Sequence, residues 1–349
     1  MNFQGTIRKK GKFYVYDGKE SEKNRIYARG FGIIKKKELI LTKEEALFLH
    51  EMYNIKAENI FDKQDFTKYI ALRELFIRGY KIVKEDGKDE IKNEENFSRN
   101  PLKVYKKYET KINVKKAKVI SQDKQFLIVD SDKRLYSLYW FGQYGVYKKD
   151  YGKLFFLDQY EAYYLKEKGL LEGEIKVTYK FFDEIYRIYK EWRDAGYVLK
   201  SGFKFGGDFR LYMPNAMPNK KFHSKHILHV FPKGLFLRAE DWSKAIRTCH
   251  SVKKTYILAI PKEKEKIRNF KPDALVSKEN ETFVVKVLRQ DDYVKGHLLA
   301  SALEFCINKH LPLLLCFVDR DTATTFYRAD RIILEGSDNV YYEVSWIRF

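Results

Sequence analysis

The chain has 349 residues, which at about 150 residues per domain corresponds to two or three compact units. Lysine and arginine number 68 against 48 acidic residues, a net charge of +20, and 44% of the residues are hydrophobic and 16% aromatic. This composition excludes a disordered basic tail, which would lack the aromatic residues needed for a core. Nucleic acid is the favoured partner, because cations neutralise phosphates and aromatic rings stack on unpaired bases.

The sequence also limits the cellular setting. No apolar run reaches the roughly 18 to 20 residues of a membrane span, and the first residues carry no signal-peptide core. We therefore expect a cytoplasmic protein with no membrane partner. The three cysteines, Cys249, Cys306 and Cys316, form no CxxC pair, which argues against disulfides and against a cysteine zinc site. We expect them to be packing residues.

One pattern occurs twice along the chain. Phe31-Gly32 and Tyr144-Gly145 each precede a short apolar strand and then a helix containing a Glu-Ala pair. Each copy continues to a second helix, which ends at Gly79 or Gly196 and leads into a strand. Glycine at this position favours a left-handed helix cap. The sequence thus predicts a duplicated small module.

The second copy continues into a strand-helix-strand domain, and a similar order recurs near the end of the chain. Apolar runs predict a strand at 255–260 and another at 313–318, each after a helix. We call the duplicated small module N-type and the strand-helix-strand domain C-type. The predicted segments are an N-type module without a catalytic half at 1–95, a basic linker at 96–116, a second N-type module at 117–180, a catalytic C-type domain at 181–271 and a structural C-type domain at 272–349.

Three polar residues of the middle unit stand at element ends. Tyr212 closes a predicted strand, His223 opens the next, and Lys254 follows the helix. Their types suit RNA cleavage through its own 2′-hydroxyl, which needs a base, an acid for the leaving oxygen and a cation for the phosphorane. This reaction requires no metal and no other cofactor. Each residue alone is more typical of an ordinary surface or packing position, so the interpretation depends on their joint placement.

The last domain does not repeat these residue types. When the last domain is aligned with the middle unit, the positions equivalent to Tyr212, His223 and Lys254 hold Ser277, Asn280 and Leu311. None of these can replace a tyrosine base, a histidine acid or a lysine cation. We therefore interpret the last domain as a structural copy that lacks the site.

Two metal-dependent alternatives are weaker. His226 and His229 follow His223, but successive residues of a strand point to opposite faces, so the middle ring lies away from the other two. Pro272-Asp273 begins a restriction-type nuclease motif, yet the residue two before Lys286 is a valine, which cannot bind Mg²⁺. The sequence therefore favours no metal site.

The middle unit resembles the archaeal tRNA-splicing endonucleases. The resemblance lies in the run from Gly196 to Tyr212, in His223-Ser224 and in Cys249-His250-Ser251-Val252-Lys253-Lys254, and it extends over roughly residues 117–260. It implies a lyase-type endoribonuclease for tRNA processing, which removes introns from precursor tRNA at bulge-helix-bulge junctions without metal. The products implied are a 2′,3′-cyclic phosphate and a 5′-hydroxyl.

The resemblance also implies a fold and catalytic roles. The fold class is mixed α/β and α+β, with small α+β N-type modules and two restriction-endonuclease-like mixed-sheet C-type domains, one catalytic and one degenerate. The family's catalytic tyrosine, histidine and lysine fall on Tyr212, His223 and Lys254 as base, acid and phosphorane stabiliser. Lys253 is the rival for the lysine role.

Substrate and partner contacts are implied as well. The family holds a bulge base between two arginines, for which Arg247 and Arg268 are the candidates. The order of units resembles a three-unit single chain that forms a homodimer, in which an acidic loop of the structural unit docks into the partner. Asp319 and Asp321 are the candidates for that loop, with Asp338 as a second possibility. The ordinary alternatives are a solvated helix cation for Arg247 and a polar turn for the loop.

A different class of function is also open. The chain could be a non-catalytic, RNA-binding structural subunit of a splicing endonuclease. Such a subunit would have lost at least one of Tyr212, His223 and Lys254, and this sequence retains all three. The sequence therefore favours the enzyme.

Overall fold

The computed structural model describes most of the chain. The described ranges are 3–61, 66–83, 111–144, 154–218, 222–261, 270–279, 281–334 and 336–348. Arg268, Asn280 and most of the predicted linker at 96–116 lie outside the described residues. Within these ranges, every helix is too short or too polar to cross a bilayer.

The first module is a five-stranded sheet with helices packed on it. Its elements are β1 (Thr6–Lys10), β2 (Phe13–Asp17), α1 (Glu20–Ala28), β3 (Ile33–Lys35), β4 (Glu38–Leu41), α2 (Lys43–Tyr53), β5 (Lys56–Ala57), α3 (Thr67–Ile77) and β6 (Lys81–Ile82). The sheet order is β3-β4-β2-β1-β5, and β6 lies outside it. Thr42 and Glu45 begin α2 with a capping box, which satisfies free backbone N–H groups.

The second module repeats this arrangement. Its elements are β7 (Ala117–Gln122), β8 (Phe126–Asp130), α4 (Arg134–Ser137), β9 (Gln143–Tyr144), β10 (Phe155–Asp158), α5 (Gln159–Glu167), β11 (Leu171–Glu172), α6 (Phe182–Asp194) and β12 (Val198–Ser201). The sheet order is β11-β7-β8-β10-β9. Gly79 and Gly196 take the predicted left-handed conformation, with φ of 88° and 86°. The predicted duplication is therefore visible in the fold.

The alignment of the two copies needs one correction. The backbone N–H of Gly32 donates to Glu45 Oε1 at 3.0 Å, and that of Gly142 donates to Glu161 Oε1 at 3.0 Å. Phe31-Gly32 therefore corresponds to Phe141-Gly142, and the sequence match to Tyr144-Gly145 is wrong. The longer connection between β9 and β10 in the second copy explains the shift.

The rest of the chain forms a ten-stranded mixed sheet and a small ribbon. The new elements are β13 (Phe209–Tyr212), β14 (His226–Val230), β15 (Phe236–Arg238), α7 (Ala239–Ser251), β16 (Thr255–Ile260), β17 (Ala274–Lys278), β18 (Glu281–Arg289), β19 (Tyr293–Lys295), α8 (Gly296–Lys309), β20 (Leu313–Val318), β21 (Thr324–Ile332) and β22 (Val340–Ile347). The large sheet has the order β12-β13-β14-β16-β22-β21-β20-β18-β17-β6, and β15 pairs with β19.

This strand order is symmetric about its centre. Strand pairs at equal distance from the central β22-β21 pair run in the same relative direction. On one side β14 and β16 are parallel neighbours, and on the other side β18 and β20 are. The C-terminal strand β22 pairs with β16 on one side and β21 on the other, so it joins the middle and last domains. The two halves therefore form one continuous sheet.

The first module contributes to the last domain. The sequence interpretation leaves residues 272–349 without a module of their own, but β6 pairs with β17, with Val276 opposite Ile82. Leu75 and Phe76 of α3 share a buried core with Leu314 of β20. A helix and an edge strand from the start of the chain thus complete the sheet at its end, an interaction between segments far apart in sequence. The segment boundaries themselves stay predictions.

Candidate active site

The strand directions bring the three predicted catalytic residues to one end of the sheet. Tyr212 is the last residue of β13, His223 precedes β14, and Lys254 immediately precedes β16. Because β13 is antiparallel to β14, and β14 is parallel to β16, the end of β13 lies beside the starts of the other two strands. The registers fix this placement, since His226 is opposite both Leu211 and Thr255.

Lys254 is held in a partly buried position. Its Nζ donates a hydrogen bond to the backbone carbonyl of Ser224, the residue next to His223, and lies 5.6 Å from the ring centroid of Phe205. Desolvation lowers the pKa of Lys254, the charge of Arg210 adds to this, and Cys249 opposes it. The ammonium group is thus anchored at the strand end that carries the histidine.

Lys253 differs from its neighbour in its exposure and in its contacts. It is exposed, it adopts a left-handed conformation with φ of 55°, and its N–H donates to His250 O at 2.9 Å. It therefore terminates α7. Of the two rival lysines, Lys254 is the one whose side chain contacts the strand-end segment.

Tyr212 lies in a small aromatic cluster. Tyr212 is 6% exposed and packs with Val198 and Ala216. The ring of Trp140 lies against it, with centroids 4.7 Å apart and planes tilted by 50°. His223 is exposed, and within the described chain it makes no hydrogen bond to Tyr212 or Lys254. The structure thus gathers the three residues at one sheet end but leaves the histidine side chain open to solvent.

Arg210 is a site residue that sequence reasoning missed. Its guanidinium carbon lies 5.8 Å from the Tyr212 ring centroid, and its charge acts on Lys254. Its Nε donates to the carbonyl of Ser201 at 2.8 Å, which holds the side chain across the strand pair. No local signal distinguishes one arginine among many cations in a basic chain. Its place in the site follows from strand alternation, which puts residues 210 and 212 on one face of β13.

The described residues predicted to contact substrate and partner, Arg247, Asp319 and Asp321, are exposed on the surface. Arg247 is exposed on α7, and its positive charge acts on the hydroxyl of Tyr327. Asp319 is exposed after β20, where its Oδ1 accepts the N–H groups of Asp321 at 2.9 Å and Ala323 at 2.8 Å. Asp319 thus shapes its own turn, whereas Asp321 presents an exposed carboxylate.

The residues of the metal-dependent alternatives are engaged in other contacts. His229 Nδ1 contacts the hydroxyl of Tyr256. Asp273 Oδ2 pairs with Lys286 Nζ at 2.9 Å and accepts the N–H of Val287 at 2.8 Å. These side chains are therefore already paired within the described structure.

His226 is a buried histidine without a hydrogen-bond partner among the described residues. Burial lowers its pKa to about 4, mainly by desolvation, with repulsion from Lys225 and Lys254 in addition. The unfolded chain therefore takes up a proton below pH 6.5, whereas the folded chain does so only near pH 4. Folding stability should fall as the pH drops through this window, by roughly 3 kcal/mol at most.

Replacing His226 by phenylalanine should remove this pH-dependent loss. The pairing registers give Phe283 the equivalent place in the last domain, so a phenyl ring fits this kind of position. We expect His226→Phe to raise the melting temperature, and to raise it more at pH 5 than at pH 7. Thermal unfolding at both pH values measures this, and an equal gain at the two would contradict the assignment.

Comparisons with known proteins identify the family of the chain. The family described as tRNA intron endonuclease, catalytic C-terminal domain, matches residues 182–269, which include the three strand-end residues. The chain is 35% identical over 134 residues to the tRNA-splicing endonuclease of Methanopyrus kandleri, covering 34% of this chain and 73% of that protein. It is 36% identical over 146 residues to that of Thermococcus gammatolerans, covering 36% of this chain and 84% of the relative. The matched region and the extent of the relatives that it covers establish that this chain belongs to the archaeal tRNA-splicing endonuclease family.

Proposed function

We propose that the chain cleaves precursor tRNA at bulge-helix-bulge intron junctions by attack of the RNA 2′-hydroxyl on the adjacent phosphate. The observation that carries the proposal is the meeting of Tyr212, His223 and Lys254 at one end of the sheet, inside the segment that matches the family. A base, an acid and a cation are the groups that this transesterification requires.

Each residue takes one step of the reaction. Tyr212 removes the proton of the RNA 2′-hydroxyl while the 2′-oxygen attacks the phosphorus. Lys254 stabilises the charge that develops on the phosphorane. His223 donates a proton to the departing 5′-oxygen. The products are a 2′,3′-cyclic phosphate and a 5′-hydroxyl, and the proton removed from one oxygen balances the proton given to the other.

The partial burial of Lys254 supports its role. An ammonium group that is withdrawn from water interacts more strongly with a phosphorane than a solvated one does. Its hydrogen bond to the Ser224 carbonyl fixes the cation before the substrate arrives. The exposed His223 is accessible to a leaving oxygen on a bound RNA.

The proposal includes a homodimer. The chain carries one set of the three residues, whereas a bulge-helix-bulge RNA presents two scissile phosphates related by an approximate two-fold axis. Two chains related by a two-fold axis supply two identical sites. The exposed Asp321 beside Asp319 is the proposed docking loop. Light scattering should give twice the chain mass of 41.7 kDa, and a monomer would overturn this part.

Arg247 is the proposed contact for a splayed bulge base. It is exposed on α7, so its planar guanidinium is available for stacking on an unpaired base. We expect Arg247→Ala to weaken binding of a bulged RNA more than binding of a plain duplex of equal charge. Filter binding with both RNAs measures this, and equal losses would favour a solvated cation.

The proposed reaction is tested by its products. Purified protein and an intron-containing precursor tRNA should give cyclic phosphate ends in the presence of EDTA, because the proposed chemistry uses only side chains. The same reaction with Tyr212→Phe is the matched control. Linear 3′-phosphate or 3′-hydroxyl ends, or a requirement for added Mg²⁺, would overturn the mechanism. RNA bound but uncut by the wild type would indicate the structural-subunit alternative.

A further inference from the structure

Trp140 has an unusual backbone conformation beside the proposed base. Its φ is 49°, in the left-handed region. A Cβ atom is disfavoured there, and a bulky aromatic residue is a rare occupant. Strained residues of this kind persist where the surrounding structure or the function requires them.

The first module provides an internal comparison for this position. Because Gly142 and Gly32 each donate to the equivalent glutamate, the residues two before them, Trp140 and Gly30, are also equivalent. Gly30 has a φ of 84°, a conformation that glycine adopts without a steric penalty. The catalytic unit thus holds a tryptophan at a backbone position that favours glycine.

The neighbours of Trp140 indicate what the ring does. It lies 4.7 Å from the Tyr212 ring, and it packs on the buried cluster of Val198, Tyr212 and Ala216. Val198 is directly opposite Tyr212 in the β12-β13 pair. The Trp140 ring thus packs directly against the Tyr212 ring and covers one side of it.

In the other half of the chain, different residues stand at the described positions that correspond to Trp140, Val198 and Tyr212. A Cβ placed on Gly30 would lie 2.0 Å from Lys81 Cδ, so the lysine chain fills the space that Trp140 fills in the catalytic unit. Lys81 is directly opposite Ser277 in the β6-β17 pair. The half that lacks the proposed site thus has other residues at all three positions. Gly30 stands in place of Trp140, Lys81 in place of Val198, and Ser277 in place of Tyr212.

We infer that Trp140 is a positioning residue that holds the Tyr212 ring in its reactive orientation, an inference that rests on the proposed function. It acts through Tyr212 and not on the RNA. A displacement of about 1 Å of a reacting group can cost a factor of about 100 in rate. Of the two described modules, only the one beside Tyr212 places a tryptophan at this left-handed position, which is consistent with the role.

The inference is tested with three variants at this position. Trp140→Phe keeps a ring, Trp140→Leu keeps apolar bulk without a ring, and Trp140→Gly copies Gly30. Under single-turnover conditions we expect Leu and Gly to lower the cleavage rate about 10- to 100-fold and Phe to recover most of it. Binding of precursor tRNA should change less than about threefold. Phe126→Ala, which removes a half-exposed ring elsewhere in the module, is the control.

A double variant separates positioning from general loss of structure. If Trp140 acts through Tyr212, then Trp140→Leu should add no further loss once Tyr212→Phe is present. A full additional loss in the double variant, or a wild-type rate in Trp140→Leu, would overturn the positioning role. A wild-type rate in Tyr212→Phe would instead overturn the proposed function itself, so the two failures are distinguishable.

Discussion

Replacing His223 by alanine should lower the single-turnover cleavage rate by a factor of about 100 to 10,000, the usual range for loss of a general acid. The side chain is exposed and makes no hydrogen bond within the described chain, so its removal leaves no buried partner unsatisfied. We therefore expect an unchanged melting temperature and nearly unchanged binding of precursor tRNA. The rate is measured with enzyme in excess over end-labelled RNA, and the affinity by filter binding.

Two controls sharpen this result. His310, an exposed histidine at the left-handed end of α8, tolerates asparagine conformationally, so His310→Asn removes a histidine without touching the proposed site. An RNA with a better leaving group at the scissile position, such as a 5′-thiolate, needs less protonation and should be cut by His223→Ala at nearly the wild-type rate. A defect of the same size on both RNAs would count against the acid role.

The proposed catalytic residues could be proposed from the sequence because their signals are local. Tyr212 and Lys254 adjoin the short runs that predict β13 and β16, and such patterns indicate strands without knowledge of the fold. His223 lies three residues before β14, so the prediction that it opens this strand is wrong. The strands β16 and β20 have the predicted bounds. Residue type and spacing together thus carry much of the site.

The supporting residues could not be predicted in this way. Trp140 reaches Tyr212 only through the packing of the second module on the β12-β13 pair, whereas Arg210 lies two residues before Tyr212 on the same strand face. Arginine is common in this chain, and an aromatic residue next to Phe141 is more typical of a module core. A left-handed tryptophan has no sequence signature, because tryptophan is not expected at positive φ.

The junction between the first and last parts of the chain is also invisible to local patterns. The strand β6 is two residues long, and its partner β17 belongs to a segment far along the chain. An edge position is satisfied by any short extended segment, so only the finished fold identifies Ile82 as the neighbour of Val276. Sequence reasoning consequently treated as separate two segments that share a core.

The pair Lys253 and Lys254 allows a matched test, because the two variants remove the same charge from adjacent positions. Lys254→Met should lower the cleavage rate by a factor of about 100 to 1,000, the usual effect of removing one preorganised group that stabilises transition-state charge. Lys253→Met should leave the rate within about threefold of wild type, because its side chain is exposed and ends a helix. Single-turnover rates of both variants measure the difference.

Binding and stability distinguish the chemical role of Lys254 from its structural one. The methionine cannot donate to the buried Ser224, which should reduce unfolding free energy by about 1 to 3 kcal/mol, and thermal unfolding will show this. The salt dependence of RNA binding should change by no more than about one phosphate contact in either variant, since each removes one cation. A rate defect that follows Lys253 instead would transfer the phosphorane role to the exposed lysine, and equal defects would reduce both to general attraction of RNA.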